Sequence, residues 1–345
     1  MFELAVMGII GVLASYSGVA LVIRWAEKHN VIDVPNDRSA HENPTPRGGG
    51  LLIFLVVSIG IAISWLRSPQ WPGPVVTSYL VGAGIIALVS GIDDLRTLSN
   101  RYRFVAHSLA ALCVLLFAGY WEELLLPLVG VIPLGKIGFL VSFLWIVGLT
   151  NAFNFMDGID GIAGGQGAVA GAAWVLLGFH LDQPLLAVLG LLLVSSSLGF
   201  LGHNWPPARV FMGDIGSTFM GYTFAFMAIW GSKVHGKLAF AGVLLVWPFV
   251  FDSVFTFLRR LFSGENIFEA HRSHLYQRLI NFGRTHQSVT ILYLGLDLLG
   301  AVFSLLWVFK LPIGEWIAPL GLAAAGVGLW VYVSRFVERL PASQG

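Results

Sequence analysis

The sequence predicts an all-α polytopic membrane protein, and three observations predict it. Charged residues make up 11% of the 345 and hydrophobic ones 56%, whereas roughly a quarter of an ordinary soluble domain is charged. Eleven stretches approach the length of about 20 apolar residues that a spanning helix needs. Forty-one glycines and 12 tryptophans suit helices that approach closely and are anchored at the membrane interface. A soluble enzyme is excluded, because lipid has to solvate most of this apolar surface. The one cysteine, Cys113, lies in an apolar run, so a disulfide framework and a thiolate metal site are excluded too.

The eleven spans are expected near residues 3 to 23, 50 to 66, 76 to 91, 104 to 118, 137 to 150, 166 to 180, 185 to 200, 216 to 231, 238 to 257, 289 to 309 and 316 to 335. The apolar piece at 124 to 134 is only eleven residues long and holds Pro127 and Pro133, so it reads as re-entrant or interfacial. The first span is no cleaved signal peptide: Glu3 precedes it, and Arg24 and Lys28 follow it. No repeat or low-complexity segment interrupts the chain, so residues 1 to 345 read as one integral membrane domain. With eleven spans, one set of connecting segments holds 15 of the 20 Lys and Arg residues. The positive-inside rule assigns that set and the C-terminus to the cytoplasm and the N-terminus to the outside.

Five segments of that cytoplasmic set carry nearly all the unusual chemistry. The first runs from Asp33 to Gly50 and contains Arg38, His41 and the turn Pro44-Thr-Pro-Arg47-Gly-Gly-Gly50. Arginines and a Gly-rich turn ahead of a helix are able to meet phosphate through guanidinium and backbone N–H groups. A basic loop with ordinary turn residues would look the same. The second is Gly91-Ile-Asp93-Asp94-Leu95, with Arg101 and Arg103 shortly after it. Adjacent carboxylates at a membrane boundary repel one another and want a cation or a proton.

The third segment, from Asn151 to Gly165, places Asn154, Asp157 and Asp160 three residues apart and contains no Lys or Arg. On a helical turn that spacing stacks their oxygens on one face, and hard oxygen donors suit Mg²⁺. An N-cap accounts for one such Asp but not for the series. In the fourth, Phe211-Met-Gly-Asp214-Ile-Gly-Ser-Thr218, small neighbours leave Asp214 approachable, and a helix start offers free N–H groups to an anion. The fifth spans residues 258 to 288 and holds His271-Arg272-Ser273-His274, whose side chains donate to phosphate oxygens. Asp252 sits near the cytoplasmic end of span nine as a supporting residue. Asp297 and His107 are expected to form helix-to-helix hydrogen bonds.

Carboxylates, an Asn, arginines and histidines on one rim of a membrane bundle suit phosphates bridged by Mg²⁺, the set that phosphoryl-type transfer requires. Placing such a site at the lipid boundary makes sense when one substrate is itself a lipid.

Together these motifs resemble a known family. The Asp-Asp pair, Asn151-x-x-Asn154-x-x-Asp157-Gly-x-Asp160-Gly, Gly213-Asp214-x-Gly216-Ser217 and the His-rich last loop, in order over about residues 33 to 280, are similar to the polyprenyl-phosphate N-acetylhexosamine-1-phosphate transferases. That resemblance implies transfer of a sugar 1-phosphate from a UDP-N-acetylhexosamine to undecaprenyl phosphate with release of UMP, in the bacterial inner membrane. It implies Mg²⁺, or Mn²⁺ in its place, on Asn154 and Asp214. It gives Asp93 and Asp94 the task of orienting or deprotonating the lipid phosphate. Asp157 joins them in the catalytic set, and Asp160 serves the uracil end or supports the pocket. His271, Arg272 and His274 contact the sugar and diphosphate, with Arg38, Arg47, Arg101 and Arg103 as further binding residues.

The His-Arg-Ser-His element departs from the denser histidine cluster of the translocase and enterobacterial O-antigen enzymes. It is closer to the branch whose donors include 6-deoxy sugars such as UDP-FucNAc and UDP-QuiNAc as well as UDP-GlcNAc. The resemblance further implies a start of O-antigen or another surface polysaccharide, with membrane lipids around the chain, a second copy as a conceivable partner, and no nucleic acid. Two mechanisms stand side by side: direct attack by the lipid phosphate, and a covalent carboxylate route through Asp93 or Asp94. The rival readings are phospho-MurNAc-pentapeptide transfer, a CDP-alcohol phosphotransferase and a transporter. A transporter would gather its polar groups near the midplane. The CDP-alcohol enzymes need further aspartates, and this chain has none between Asp160 and Asp182.

Overall fold

A computed structural model describes residues 2 to 33, 44 to 68, 70 to 96, 98 to 266, 272 to 309 and 314 to 338. In chain order the elements are α1 (Phe2–His29), β1 (Ile32–Asp33), β2 (Thr45–Pro46), α2 (Leu51–Arg67), α3 (Gly73–Leu95) and α4 (Asn100–Phe117). There follow β3 (Glu123–Leu126), β4 (Gly130–Pro133), α5 (Ile137–Met156), α6 (Ile162–His180), α7 (Pro184–Asn204) and α8 (Gly213–Val234). The last are α9 (Lys237–Leu245), α10 (Trp247–Phe262), α11 (Leu275–Asn281), α12 (His286–Val308) and α13 (Gly314–Glu338). The protein is a multi-pass, all-α membrane protein. Each of the eleven predicted spans falls on helix, although among the described residues seven helices qualify as crossings on length and apolar composition alone, or eight with α9 and α10 taken together. α2, at 17 residues, is apolar but shorter.

One segment differs from the sequence reading and another takes a form that the reading left open. The expected ninth span is broken: α9 and α10 meet at 76°, because Pro248 lacks the N–H that a continuous helix would use and fits only the first turn of a new one. The apolar stretch at 124 to 134 is an antiparallel β-hairpin, pairing Glu123 with Pro133 and Leu126 with Gly130.

α8 lies at the centre. Its residues from Gly213 to Ile229 are buried almost all the way round, the pattern of a helix enclosed by others, and α3, α5, α9 and α2 pack against it. Hydroxyls replace missing solvent between these helices. Tyr222 donates to the Tyr79 carbonyl at 3.0 Å, and Ser90 and Thr218 share a hydrogen bond of 3.0 Å. The second of these ties the end of α3 to the start of α8, where the acidic motifs lie. α1 is peripheral and buries only Gly11, Ser15, Val19 and Ala26. Small residues on one face let it approach α7, and Ser15 donates to the Ser196 carbonyl at 2.7 Å.

Candidate active site

The N-terminus of α8 is built by another helix. Asp94, at the end of α3, accepts from the backbone N–H of Asp214 at 2.8 Å and of Ile215 at 3.2 Å. Gly213 turns the chain into α8 with φ of +78°, and a Cβ there would stand 2.8 Å from an Asp94 oxygen. Only glycine accepts both that backbone and that neighbour. The free N–H groups expected to greet an anion at this helix start are therefore occupied by Asp94. The Gly-rich turn shows the same correction: Gly48 and Gly49 donate to the Phe211 carbonyl and Gly50 to that of Met212, at 2.8 to 3.2 Å. These N–H groups hold the turn against the α8 entry and do not face a phosphate.

Two arginines tie the acids together. Arg47 reaches Asp94 at 3.1 Å and Asp214 at 2.9 Å. Arg103 reaches Asp93 at 3.3 Å and Asp214 at 3.4 Å. Asn154, on α5, donates to Asp214 at 3.0 Å and to the Ser217 hydroxyl at 3.2 Å. Asp93 also accepts the backbone N–H of Leu98 at 2.5 Å. Burial pulls the Asp214 carboxyl upward, but hydrogen bonds from Asp93 and Asn154 and the charges of Arg47 and Arg103 outweigh it, so its net shift is downward.

Asp157 caps the end of α5 rather than lying on it. Burial, then the negative charge of Asp214, push its carboxyl well above the usual range, against the pull of Arg47. This corrects the expectation of three donors on one helical face. The helix stops at Met156, and Gly161, with φ of +80°, starts the next one. Asn154 consequently faces Asp214, whereas Asp160 turns elsewhere. The carboxylate of Asp160 accepts from Ala208 N–H at 3.0 Å and pairs with His286 at 3.3 Å, while its carbonyl accepts from Thr290 at 2.7 Å. It pins the loops before α6 and α8 to α12.

The fifth motif is organised by Asp252. This carboxylate is fully buried and takes the N–H groups of Leu275 and Tyr276 at 2.8 and 3.1 Å and the Tyr293 hydroxyl at 2.6 Å. The imidazole Nδ1 of His274 lies 3.2 Å from it. Tyr276 in turn donates to the Phe155 carbonyl at 2.9 Å, one residue from Asn154. Arg272 is half-buried, two residues before His274 at the start of α11. Arg101, by contrast, is exposed and forms no ion pair among the described residues, although Arg103, two positions on, is fully engaged. Arg38 and His271 lie outside the described residues. Asp297 also departs from expectation: neither oxygen has a partner among the described residues, and the nearby indole N–H of Trp247 donates to the Leu296 carbonyl instead. His107 meets the expectation: its side chain is hydrogen-bonded to Asn151 of α5, although Nδ1 has no partner among the described residues.

The described parts of all five motifs thus share one end of the bundle, each tied to at least one other by a side-chain contact. Among the described residues, no three His, Cys, Asp or Glu side chains converge on one point, because the arginines stand between the carboxylates. The donor chemistry nevertheless fits a divalent ion. Asp214 holds its negative charge, and the carboxamide of Asn154, whose nitrogen lies 3.0 Å from it, brings a second hard oxygen donor to the same point.

Comparison with known proteins decides the family. The model of glycosyl transferase family 4 matches residues 76 to 232. A probable undecaprenyl-phosphate N-acetylglucosaminyl 1-phosphate transferase of Bacillus subtilis (strain 168) is 31% identical over 310 residues, covering 88% of this chain and 84% of that one. The chain belongs to the polyprenyl-phosphate N-acetylglucosamine-1-phosphate transferase family. Further relatives of this family extend the similarity. The decaprenyl-phosphate N-acetylglucosaminephosphotransferase of Mycobacterium tuberculosis (strain ATCC 25618 / H37Rv) is 29% identical over 88% of this chain and 83% of its own. The undecaprenyl-phosphate alpha-N-acetylglucosaminyl 1-phosphate transferase of Escherichia coli (strain K12) is 25% identical over 91% and 88%. The matched region includes Asp93, Asp94, Asn154 and Asp214, which meet at the start of α8, as well as Asp157 and Asp160.

Proposed function

We propose that this transferase moves N-acetylglucosamine 1-phosphate from UDP-N-acetylglucosamine to undecaprenyl phosphate at the cytoplasmic leaflet of a bacterial inner membrane. The products are UMP and undecaprenyl-diphosphate-N-acetylglucosamine, a starting unit for a surface polysaccharide. One observation carries the reading: acids from α3 and α8 and an Asn from α5 meet two arginines at one end of a membrane bundle, where a lipid phosphate and a soluble nucleotide are able to meet. The names of the three relatives reported above all refer to N-acetylglucosamine, which favours that sugar over the 6-deoxy donors FucNAc and QuiNAc.

In the proposed reaction an oxygen of the lipid phosphate attacks the sugar-linked phosphorus of the donor. The bond from that phosphorus to the bridging oxygen breaks, and UMP departs with the electron pair. A lipid phosphate is already nucleophilic near neutral pH, so positioning matters more than activation. The geometry supports direct attack over a covalent carboxylate. Asp94 has both oxygens committed to N–H donors of α8, and Asp93 is held by Leu98 and Arg103. Both are poorly placed to act as nucleophiles. Mg²⁺, held by Asp214 and Asn154, would supply neutralising charge for the donor's diphosphate. Arg47 and Arg103, each between two carboxylates, place guanidinium donors at the same point. Asp252 fixes the ring of His274 and the first turn of α11, and through Tyr276 it holds the last loop to the end of α5.

The test is UMP release by the purified protein given undecaprenyl phosphate, Mg²⁺ and a panel of UDP-sugars. Turnover with UDP-N-acetylglucosamine supports the reading. Turnover confined to a 6-deoxy donor would replace the sugar, and no UMP with any donor would remove the reaction.

A further inference from the structure

Ser217 is fully buried near the start of α8, three residues after Asp214. A serine hydroxyl carries one proton. Here that proton goes to the Gly213 carbonyl at 3.1 Å, one turn back along the same helix. The oxygen is left to act as an acceptor, and the donor that meets it comes from another helix: Nδ2 of Asn154, on α5, lies 3.2 Å away. A side chain as short as serine makes this reach because α5 and α8 approach closely, so closely that a Cβ on Gly221, one turn further along α8, would stand 2.5 Å from the Leu149 carbonyl of α5.

The consequence falls on which way round the Asn154 carboxamide sits. Its two edges are nearly alike in shape but opposite in chemistry, two donors on the nitrogen and only lone pairs on the oxygen. Against a hydroxyl whose proton is spent, and against the Asp214 carboxylate at 3.0 Å, only the nitrogen edge fits. Both of its N–H groups are then used, one by each partner. Oδ1 occupies the opposite edge and accepts no hydrogen bond among the described residues.

Of the two partners that set this orientation, Asp214 is also the group a divalent ion would claim, and an ion competes with the Asn154 N–H for the same carboxylate oxygens. The bond to Ser217 meets no such competition. We propose that Ser217 is a positioning residue for the metal: its accepting oxygen holds the Asn154 carboxamide so that Oδ1, and not the N–H edge, is offered to a divalent cation on Asp214. This rests on the reading of Asp214 and Asn154 as the ligands of that cation. An N–H edge in the same place would repel the cation, so a neutral hydroxyl outside the ligand set decides whether Asn154 serves as a ligand.

The experiment is a double-mutant cycle read as binding, with no lipid acceptor present and therefore no turnover. Mn²⁺ affinity is measured by electron paramagnetic resonance on the purified full chain with UDP-N-acetylglucosamine, for the native protein, Ser217→Ala, Asn154→Asp and the double variant. Ser217→Ala should weaken Mn²⁺ binding about ten- to a hundredfold, as is typical when a group that orients a metal ligand is removed. A carboxylate at 154 has an oxygen on either edge and needs no such orientation. In the Asn154→Asp background the same change should therefore cost no more than about twofold, the scatter expected of independent sites. A serine that merely packs α8 against α5 would cost the same in both backgrounds. Melting temperatures taken without divalent ions check the fold; if Ser217→Ala is unstable, Ser217→Cys, whose sulfur is a weak acceptor, replaces it in the cycle. Equal losses in the two backgrounds, or no loss in Ser217→Ala while the native protein binds Mn²⁺, overturn the proposal alone. A native protein that holds no Mn²⁺ overturns the metal reading of Asp214 and Asn154, and the proposal with it.

Discussion

The carboxylate of Asp94 caps the first turn of α8 from a different helix, accepting the N–H of Asp214 at 2.8 Å. The end of α3 and the start of α8 are thereby one unit, and Arg47 closes it by contacting both acids. Loss of a cap costs about 0.5–2 kcal/mol. Asp94→Ala should therefore lower thermal stability by about that amount and also displace Asp214, reducing UMP release at least about a hundredfold. Asp94→Asn keeps one acceptor and should recover most of the stability but little of the rate. If stability falls and rate does not, the cap is only structural.

Gly213 gives a steric version of the same test. Gly213→Ala puts a methyl group against Asp94 at a backbone angle that L residues rarely adopt. The strain should cost about 1–2 kcal/mol, with turnover falling alongside. Gly216→Ala is a less specific comparison, since it strains the contact with Gly50 but leaves Asp94 untouched. Activity measured at matched folded fractions separates the two effects.

Asp252 accepts from Leu275, Tyr276 and Tyr293 in a fully buried setting, so its removal leaves several orphaned donors. Asp252→Ala should destabilise the protein by about 3–5 kcal/mol, as expected when one partner of a buried charged group is removed. Asp252→Asn retains acceptor capacity for Leu275 or Tyr276 and should cost less. Denaturation in detergent reads both, and equal losses would show that the neutral acceptor kept in Asp252→Asn contributes nothing.

Asp157 predicts a pH dependence of stability, best measured without divalent ions. Its folded-state value lies well above the unfolded value of about 3.9, so folding favours the protonated form. The stabilisation this group contributes is fully present below the unfolded value and is lost as pH rises through the raised folded value. Thermal stability should accordingly decline over that window in the native chain and decline less in Asp157→Asn. A variant with the same pH slope as the native chain would show that Asp157 titrates normally.

Much of the site was legible because its residues are chemically out of place. Asp93, Asp94, Asn154, Asp157 and Asp214 stand out in a chain of low charge, and positive-inside counting put them on one side before any contact was known. What stayed hidden was geometry that connects distant segments. Nothing in the sequence around Asp94 says that its oxygens cap α8, and nothing around Gly48 to Gly50 says that their N–H groups meet Phe211 and Met212. The three-residue spacing of Asn154, Asp157 and Asp160 implied one helical face, but Asp157-Gly158 ends the helix between them. Span nine was read as continuous because apolar composition outlasts the break at Val246. The hairpin at 123 to 133 reads as an apolar stretch in hydropathy, although its strands are short and flanked by turns.

A divalent ion held by Asp214 and Asn154, among four acids and two arginines, is central to the proposed transfer. The direct measurement is Mn²⁺ binding, followed by electron paramagnetic resonance, to the purified protein with UDP-N-acetylglucosamine present. One tightly bound Mn²⁺ per chain, displaced by Mg²⁺ and abolished in Asp214→Ala with the fold intact, is the predicted result. Undiminished binding in Asp214→Ala, or undiminished UMP release in EDTA, would contradict it.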